Sequence, residues 1–384
     1  MIGVEPEGVR SILIMLFRQI GDLLLATPTI RAFKEAFPAA SLSVAVFKES
    51  APILEGNPFI DRIIVVDPKW KALPAMERFR RERAVLKEIR SAKVDLSVNL
   101  TTGDRGLFLS LYSGARDRVG LLPTQRRARL MRMIYNHPYR TPNPHTHMVE
   151  RHLEAIRSLG YEPLRKRPEV FFSKEEEDRV VSLLIEQGWS ERRREEGRPL
   201  VQIHPVSRWI FKCWQDEDVA AVIDYLIGER GADVVLSGGS SPVERQKCDR
   251  ILSLVRHRPI SLVGKTNLRE LAALSRRADL FFGVDSAPMH IAAAMETPVI
   301  ALFGPSVAEL WRPWGEGHTT LTKDFSCVPC SQDGCGGSKR SRCLEEMTPK
   351  EVIREIDRCL FDLNAVRSQP SLIRLLPAVS QREK

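Results

Sequence analysis

Twice along this chain, short apolar runs that read as strands alternate with longer stretches that read as helices. The first series runs "SILIMLF", "TIRAFKEAF", "LSVAVF", "IIVVD", "MERFRRERAVLKEIRSA" and "VDLSVNL". The second begins at "LVQIHP" and keeps a strand–helix register from Leu200 to Ser306. Strands separated by helices imply a parallel sheet with both faces covered. Two such series predict an α/β protein of two doubly wound halves. At 384 residues the chain is long for one core and comfortable for two. Between the halves the pattern loosens near Arg165. Ser173 followed by Glu176 then spells a capping box that opens a helix. Beyond about Val366 few apolar anchors remain.

Hydrophobic residues make up 43 % of the chain and charged residues 28 %, enough to bury cores without staples. Lys and Arg number 58 against 49 Asp and Glu, a net charge of +9. A basic excess favours polyanionic partners, whether nucleic acid, anionic lipid or a phosphorylated substrate. No apolar stretch approaches the ~20 residues of a membrane span, and the early apolar run between Arg10 and Arg18 is too short for a signal peptide. Seven cysteines, an odd number without a signal, imply reduced thiols. The expected location is cytoplasmic.

In open parallel sheets, ligands bind beyond the carboxyl ends of the strands. Three segments have that placement. In "RQIGD", Asp22 stands at a strand-to-helix turn, where a carboxylate serves as helix cap, metal ligand or catalytic base. In "FFGVDSAPMHIAAAM", a strand ends at Asp285 and a helix begins near Ala287, with Ser286 as cap and Pro288 in the first turn. Such a terminus suits phosphate, although Asp285 and Ser286 also read simply as caps and His290 as a packed core residue. In "HPVSRWIFKCW", Ser207, Arg208 and Lys212 offer donors and charge to a phosphate, or Lys212 simply snorkels at the start of the next helix.

Other motifs carry less. "SLVGKTN" has Pro259 where a P-loop needs its first glycine, and "LSGGS" is no dinucleotide fingerprint. Asp216 and Asp218 open a helix and complement its dipole. Cys327, Cys330, Cys335 and Cys343 include one CxxC and offer four thiols to a metal, but their spacing is not that of a zinc ribbon. The basic stretch from Arg126 to Arg140 has only Tyr135 and Tyr139 for base stacking, so anionic headgroups explain it as well as nucleic acid.

Taken together, "RQIGDLLLATPTIRAFKEAFP", "IHPVSRWIFKCW" and "FFGVDSAPMHIAAAMETPVIALFGPS" resemble the lipopolysaccharide heptosyltransferases of glycosyltransferase family 9. "SRWIFKCW" is most similar to the branch that adds the third inner-core heptose. The resemblance covers roughly Ser11 to Ile356 and implies the GT-B fold, two Rossmann-like domains facing each other across a cleft. It divides the chain into an acceptor-binding domain over 1–172 and a nucleotide-sugar-binding domain over 173–350. A helix over 351–366 would pack back on the N-terminal domain, and 367–384 would be a flexible tail.

It further implies inverting, metal-independent transfer from ADP-L-glycero-D-manno-heptose to the lipopolysaccharide core, with no cofactor. Asp22 matches the proposed general base and Lys212 the lysine that holds the diphosphate. Ser207, Asp285, Ser286, Ala287 and His290 match the donor site. Ala287 stands where many relatives have glycine. The cysteine-bearing segment after "WRPWG" also resembles one found in such relatives. Arg105, Arg126, Arg127 and Arg129 are candidates for acceptor or membrane contact. The implied partners are the donor, the core acceptor and the anionic inner-membrane surface, not nucleic acid. Alternatives are a family member with another sugar or acceptor, and a two-lobed nucleotide-sugar-binding protein without turnover.

Overall fold

The computed structural model describes residues 4–123, 128–141 and 143–367. Their strands form two six-stranded sheets, parallel throughout. The first contains β1 (Ser11–Leu16), β2 (Ser41–Phe47), β3 (Arg62–Val66), β4 (Leu96–Asn99), β5 (Asp117–Leu121) and β6 (His137–Tyr139). Its order is β3-β2-β1-β4-β5-β6. The second contains β7 (Leu200–His204), β8 (Asp233–Leu236), β9 (Ile260–Ser261), β10 (Leu280–Val284), β11 (Val299–Leu302) and β12 (Thr319–Leu321). Its order, β12-β11-β10-β7-β8-β9, is the same winding. Each sheet therefore has a topological switch point, between β1 and β4 in one and between β7 and β10 in the other. Together the two halves form the GT-B architecture.

The inner strands are buried along nearly their whole length, which is why they read as continuous apolar runs. Leu13 and Met15 of β1 pack with Val85, Ile89 and Leu109 under the helices Ala75–Ser91 and Asp104–Tyr112. Ile12, Ile14 and Leu16 face the other way. Their core continues through Phe33 and Leu153 to Leu271, Leu274, Ile291 and Ala294 of the second half. One hydrophobic cluster thus spans both halves and joins them at the crevice floor.

The segment after β1 folds as two helices, the second starting at Thr27 and Pro28. Ile20–Leu25 is a short helix of its own, followed at Ala26 by a second, Thr27–Ala36. Pro28 lacks the N–H that would bond the Leu24 carbonyl, and the Thr27 hydroxyl donates to that carbonyl instead, at 2.7 Å. Asp22 consequently sits inside a helical first turn rather than on a bare loop.

The last helix, Pro349–Arg367, also needs a correction. It was expected to return to the N-terminal half, but Val352, Ile356 and Leu360 fill the core of the second sheet beside Val219, Val222 and Leu226. Tyr225 and Arg230 donate to the Asp357 carboxylate at 2.7 and 2.8 Å and fix the placement. An apolar stripe at helical spacing says that a helix is buried, not against which sheet. The tail from 368 onward lies outside the described residues.

Ile356 is fully buried in this second core. Ile356→Ala should therefore lower stability by about 2–5 kcal/mol. Equilibrium urea unfolding checks this, and a loss below ~0.5 kcal/mol would contradict the assigned packing.

Candidate functional site

All three expected segments lie at carboxyl ends of strands flanking the switch points. The Gly21–Asp22 pair follows β1, Ser207 to Lys212 follow β7, and Asp285 follows β10. The two halves meet there through the helices Ile20–Leu25 and Ala287–Ala294.

Asp22 is the third residue of its helix. The N–H groups of Gln19 and of Asp22 itself lie near its carboxylate and pull its pKa down. Burial nevertheless raises its pKa above the usual Asp value, against the lowering pull of Arg18, those N–H groups and Lys212. A half-buried carboxylate of raised basicity, with Arg18 beside it and Lys212 on the other lobe, is equipped to take a proton.

Opposite it, Lys212 Nζ donates to Asp285 Oδ2 at 2.6 Å, with Asp285 buried and Lys212 half-buried. The two phosphate candidates are thus brought together as an ion pair. The Ser207 hydroxyl lies beside them, 3.5 Å from the Asp285 carbonyl and accepting from Trp209 N–H at 3.3 Å. Ser286 occupies the cap position of the helix Ala287–Ala294, but its hydroxyl turns back to the Val284 carbonyl at 3.2 Å. No side chain caps that helix; Pro288 has no N–H and the Met289 N–H bonds the Ser286 carbonyl at 3.2 Å, so the Ala287 N–H is the first-turn donor left to a ligand.

His290 is buried one turn into that helix. Burial lowers its pKa to about 4, which keeps the ring neutral, and its Nδ1 has no hydrogen-bond partner. Its role in packing is specific: a Cβ on Gly21 would lie 3.3 Å from His290 Cδ2 and 3.9 Å from Ala287 Cα. The glycine of the Gly-Asp pair is what lets the His290 ring approach this closely.

Further bridges across the crevice were not anticipated. Arg208 Nη1 donates to Gln19 Oε1 at 2.7 Å, linking the lip of one half to the other. His147, buried at the start of the helix Met148–Arg157, accepts from Val149 N–H through Nδ1. That assigns the proton to Nε2, which donates to the Arg312 carbonyl at 2.9 Å. Such contacts join residues 165 or more positions apart, and no local pattern announces them.

Other expectations fall away from the crevice. Asp216 opens the helix Asp216–Gly228 and pairs with Lys247 and Arg250, a structural role. Arg105 makes a bidentate bond to Glu82 at 2.8 and 3.0 Å and fastens two helices. Arg129 is exposed, whereas Arg126 and Arg127 lie outside the described residues. Tyr135 and Tyr139 are buried and offer no stacking face. Cys327, Cys330, Cys335 and Cys343 line one pocket of about 140 Å³ beside Pro305 and Phe325. Cys335 Sγ accepts from Arg342 N–H there. Among the described residues, no three His, Cys, Asp or Glu side chains are arranged to hold a metal ion.

Two facing Rossmann-like lobes of this winding have the GT-B architecture of glycosyltransferases. Residues 82–339 match the model of "Glycosyltransferase family 9 (heptosyltransferase)", and the chain belongs to that family. It is 35 % identical over 305 residues to lipopolysaccharide heptosyltransferase 3 of Escherichia coli strain K12, covering 78 % of this chain and 84 % of that one. In fold it is similar to a family 9 glycosyltransferase from Veillonella parvula, with a TM-score of 0.79 and 22 % identity over 94 % of this chain and all of that one. It is also similar to E. coli heptosyltransferase WaaC with ADP, with a TM-score of 0.69 and 18 % identity over 91 % of this chain and 99 % of that one.

Two predictions test this geometry. Gly21→Val should destabilise by about 1–3 kcal/mol through overpacking against His290, and His290→Ala should relieve part of that loss. Thermal unfolding of both single variants and the double variant reads the coupling; strictly additive effects would place the clash elsewhere. Because Asp22 has a raised folded-state pKa, its ionisation weakens the fold. The penalty is complete above the folded pKa and vanishes below the unfolded value near 3.8. Asp22→Asn should therefore raise Tm at neutral pH, with the gap closing as the medium is acidified.

Proposed function

We propose that this chain transfers heptose from ADP-L-glycero-D-manno-heptose to the inner core of lipopolysaccharide, inverting the anomeric centre. The observation that carries the reading is the pairing across the crevice. A basic carboxylate stands on the N-terminal lobe, and an anion-receiving helix terminus with Lys212 stands on the C-terminal lobe.

In this mechanism the donor diphosphate lies against the Ala287 N–H at the positive end of the helix, with Ser207 beside it. Lys212 shares its ammonium between Asp285 and the phosphate, so charge developing on the departing ADP meets a cation already in place. An acceptor hydroxyl attacks the anomeric carbon from the opposite face as the bond to the diphosphate oxygen breaks. Asp22 takes the hydroxyl proton. Because attack and departure occur on opposite faces in one step, no covalent intermediate forms. No metal ligand or cofactor takes part, because Lys212 and the helix terminus supply the charge. The N-terminal domain, 1–172, would receive the acceptor and 173–350 the donor, at the cytoplasmic face of an anionic inner membrane. Similarity to heptosyltransferase 3, together with the "SRWIFKCW" segment, supports the third inner-core heptose as the one added.

The decisive assay incubates the protein with ADP-heptose and core-truncated lipopolysaccharide and follows ADP release. No release with any heptosylated acceptor would refute the reading. Asp22→Asn should bind donor nearly normally and lose turnover by ~10²-fold or more. The acid limb of kcat/KM should lie above the ordinary Asp range, in keeping with the raised pKa of Asp22. Lys212→Met should act chiefly on donor KM and on the ADP-release step; unchanged donor kinetics would remove it from the site.

A further inference from the structure

Three helices lie side by side on the outer face of the first sheet, opposite the face whose core continues into the second half. They are Ala75–Ser91, Asp104–Tyr112 and Ala128–Ile134. Val85, Ile89 and Leu109 anchor the first two to the sheet, and Met131 packs the third against Leu107 of the second. The Arg105–Glu82 bond ties the first pair together. The outer side of this layer carries five exposed large apolar side chains. Met76, Phe79, Phe108, Leu111 and Met133 are exposed by 49 to 83 %. Met76 and Phe79 on the first helix and Phe108 and Leu111 on the second stand three residues apart, and Met133 stands on the third.

Around them the charge is one-sided. The three helices carry nine Arg and Lys against four Asp and Glu. Glu77 is engaged by Arg80 and Arg81, and Glu82 by Arg105, so two of the four acidic groups are answered within the layer. Arg80, Arg83, Lys87 and Arg90 continue the exposed stripe that Met76 and Phe79 begin. Clustered exposed apolar side chains mark an interaction surface. Apolar side chains bordered by cations match the boundary between acyl chains and anionic headgroups.

We infer that this three-helix layer docks the protein onto an anionic phospholipid bilayer, with Met76, Phe79, Phe108, Leu111 and Met133 entering the headgroup–acyl boundary and Arg80, Arg83 and Lys87 meeting lipid phosphates. Aliphatic Met and Leu at the centre favour lipid over nucleic acid, since they stack poorly on bases. The purpose of the docking rests on the proposed lipid-linked acceptor, but the contact is testable without it. A layer on the acceptor-receiving lobe would present the crevice to an acceptor anchored in the same bilayer.

The test is sedimentation of the full chain with phosphatidylcholine vesicles lacking any acceptor, with and without phosphatidylglycerol. Binding should require phosphatidylglycerol and weaken with salt. Arg80→Glu with Arg83→Glu should reduce partitioning by about tenfold or more. Phe79→Ser with Phe108→Ser should abolish the part that survives high salt. Both double variants should keep the wild-type Tm and the wild-type ADP-release rate on detergent-dispersed acceptor. Vesicle binding without ADP release would sink the proposed transfer and leave the docking face intact. Docking is overturned by binding indifferent to phosphatidylglycerol, by variants that sediment like wild type, or by a single-stranded oligonucleotide that displaces the vesicles. A concentration-dependent dimer in analytical ultracentrifugation that the Phe variants abolish would equally overturn it, assigning the face to a second copy.

Discussion

The contact between Gly21 and the ring of His290 underlies the rest of the site. It is where two separately wound sheets touch beside the crevice, and it exists because one residue lacks a side chain. With any Cβ there, His290 or the helix carrying it must shift by a few tenths of an ångström. The Asp22 carboxylate is adjacent in sequence to the first partner, and the open helix terminus at Ala287 is adjacent in space. A movement of the lobes would therefore separate the base from the anion site before it disturbed either lobe internally.

The electrostatics of the crevice run against stability. Asp22 is held where burial disfavours its charged form, and His290 keeps a buried nitrogen without a partner. Lys212 and Asp285 satisfy one another, yet half of that pair remains accessible. Buried polar atoms without a partner also occur away from the crevice, as at Asp233 Oδ2 and Glu355 Oε2, so His290 Nδ1 is one of several. What sets the crevice apart is the half-buried carboxylate of Asp22 opposite the Lys212–Asp285 pair, since a binding and proton-transfer site needs charged groups that a ligand can still reach.

Much of this was legible along the chain. Asp22, Lys212 and Asp285 were recognisable as residues that follow buried strands, and the winding of a doubly wound sheet brings such positions to one edge. The capping box at Ser173 and the apolar strands were equally readable, since each depends on neighbours within a few residues. The fate of the last helix was not, because its stripe fits either sheet. Nor were the Arg208–Gln19 and His147–Arg312 bridges, which pair residues from different lobes, or the burial of Tyr135 beside Asn99.

By itself, then, the sequence determined the elements, the parallel winding of both halves and the residues at the strand ends, because local periodicity and chain connectivity suffice for these. Only the tertiary structure decided that Lys212 pairs with Asp285 and that Ser286 leaves its helix uncapped. It alone also decided that Gly21 serves as a point of contact and that three helices share one apolar, basic face. Those outcomes depend on which surfaces meet, and side chains distant in sequence acquire their distances, burial and charge environment only when they do.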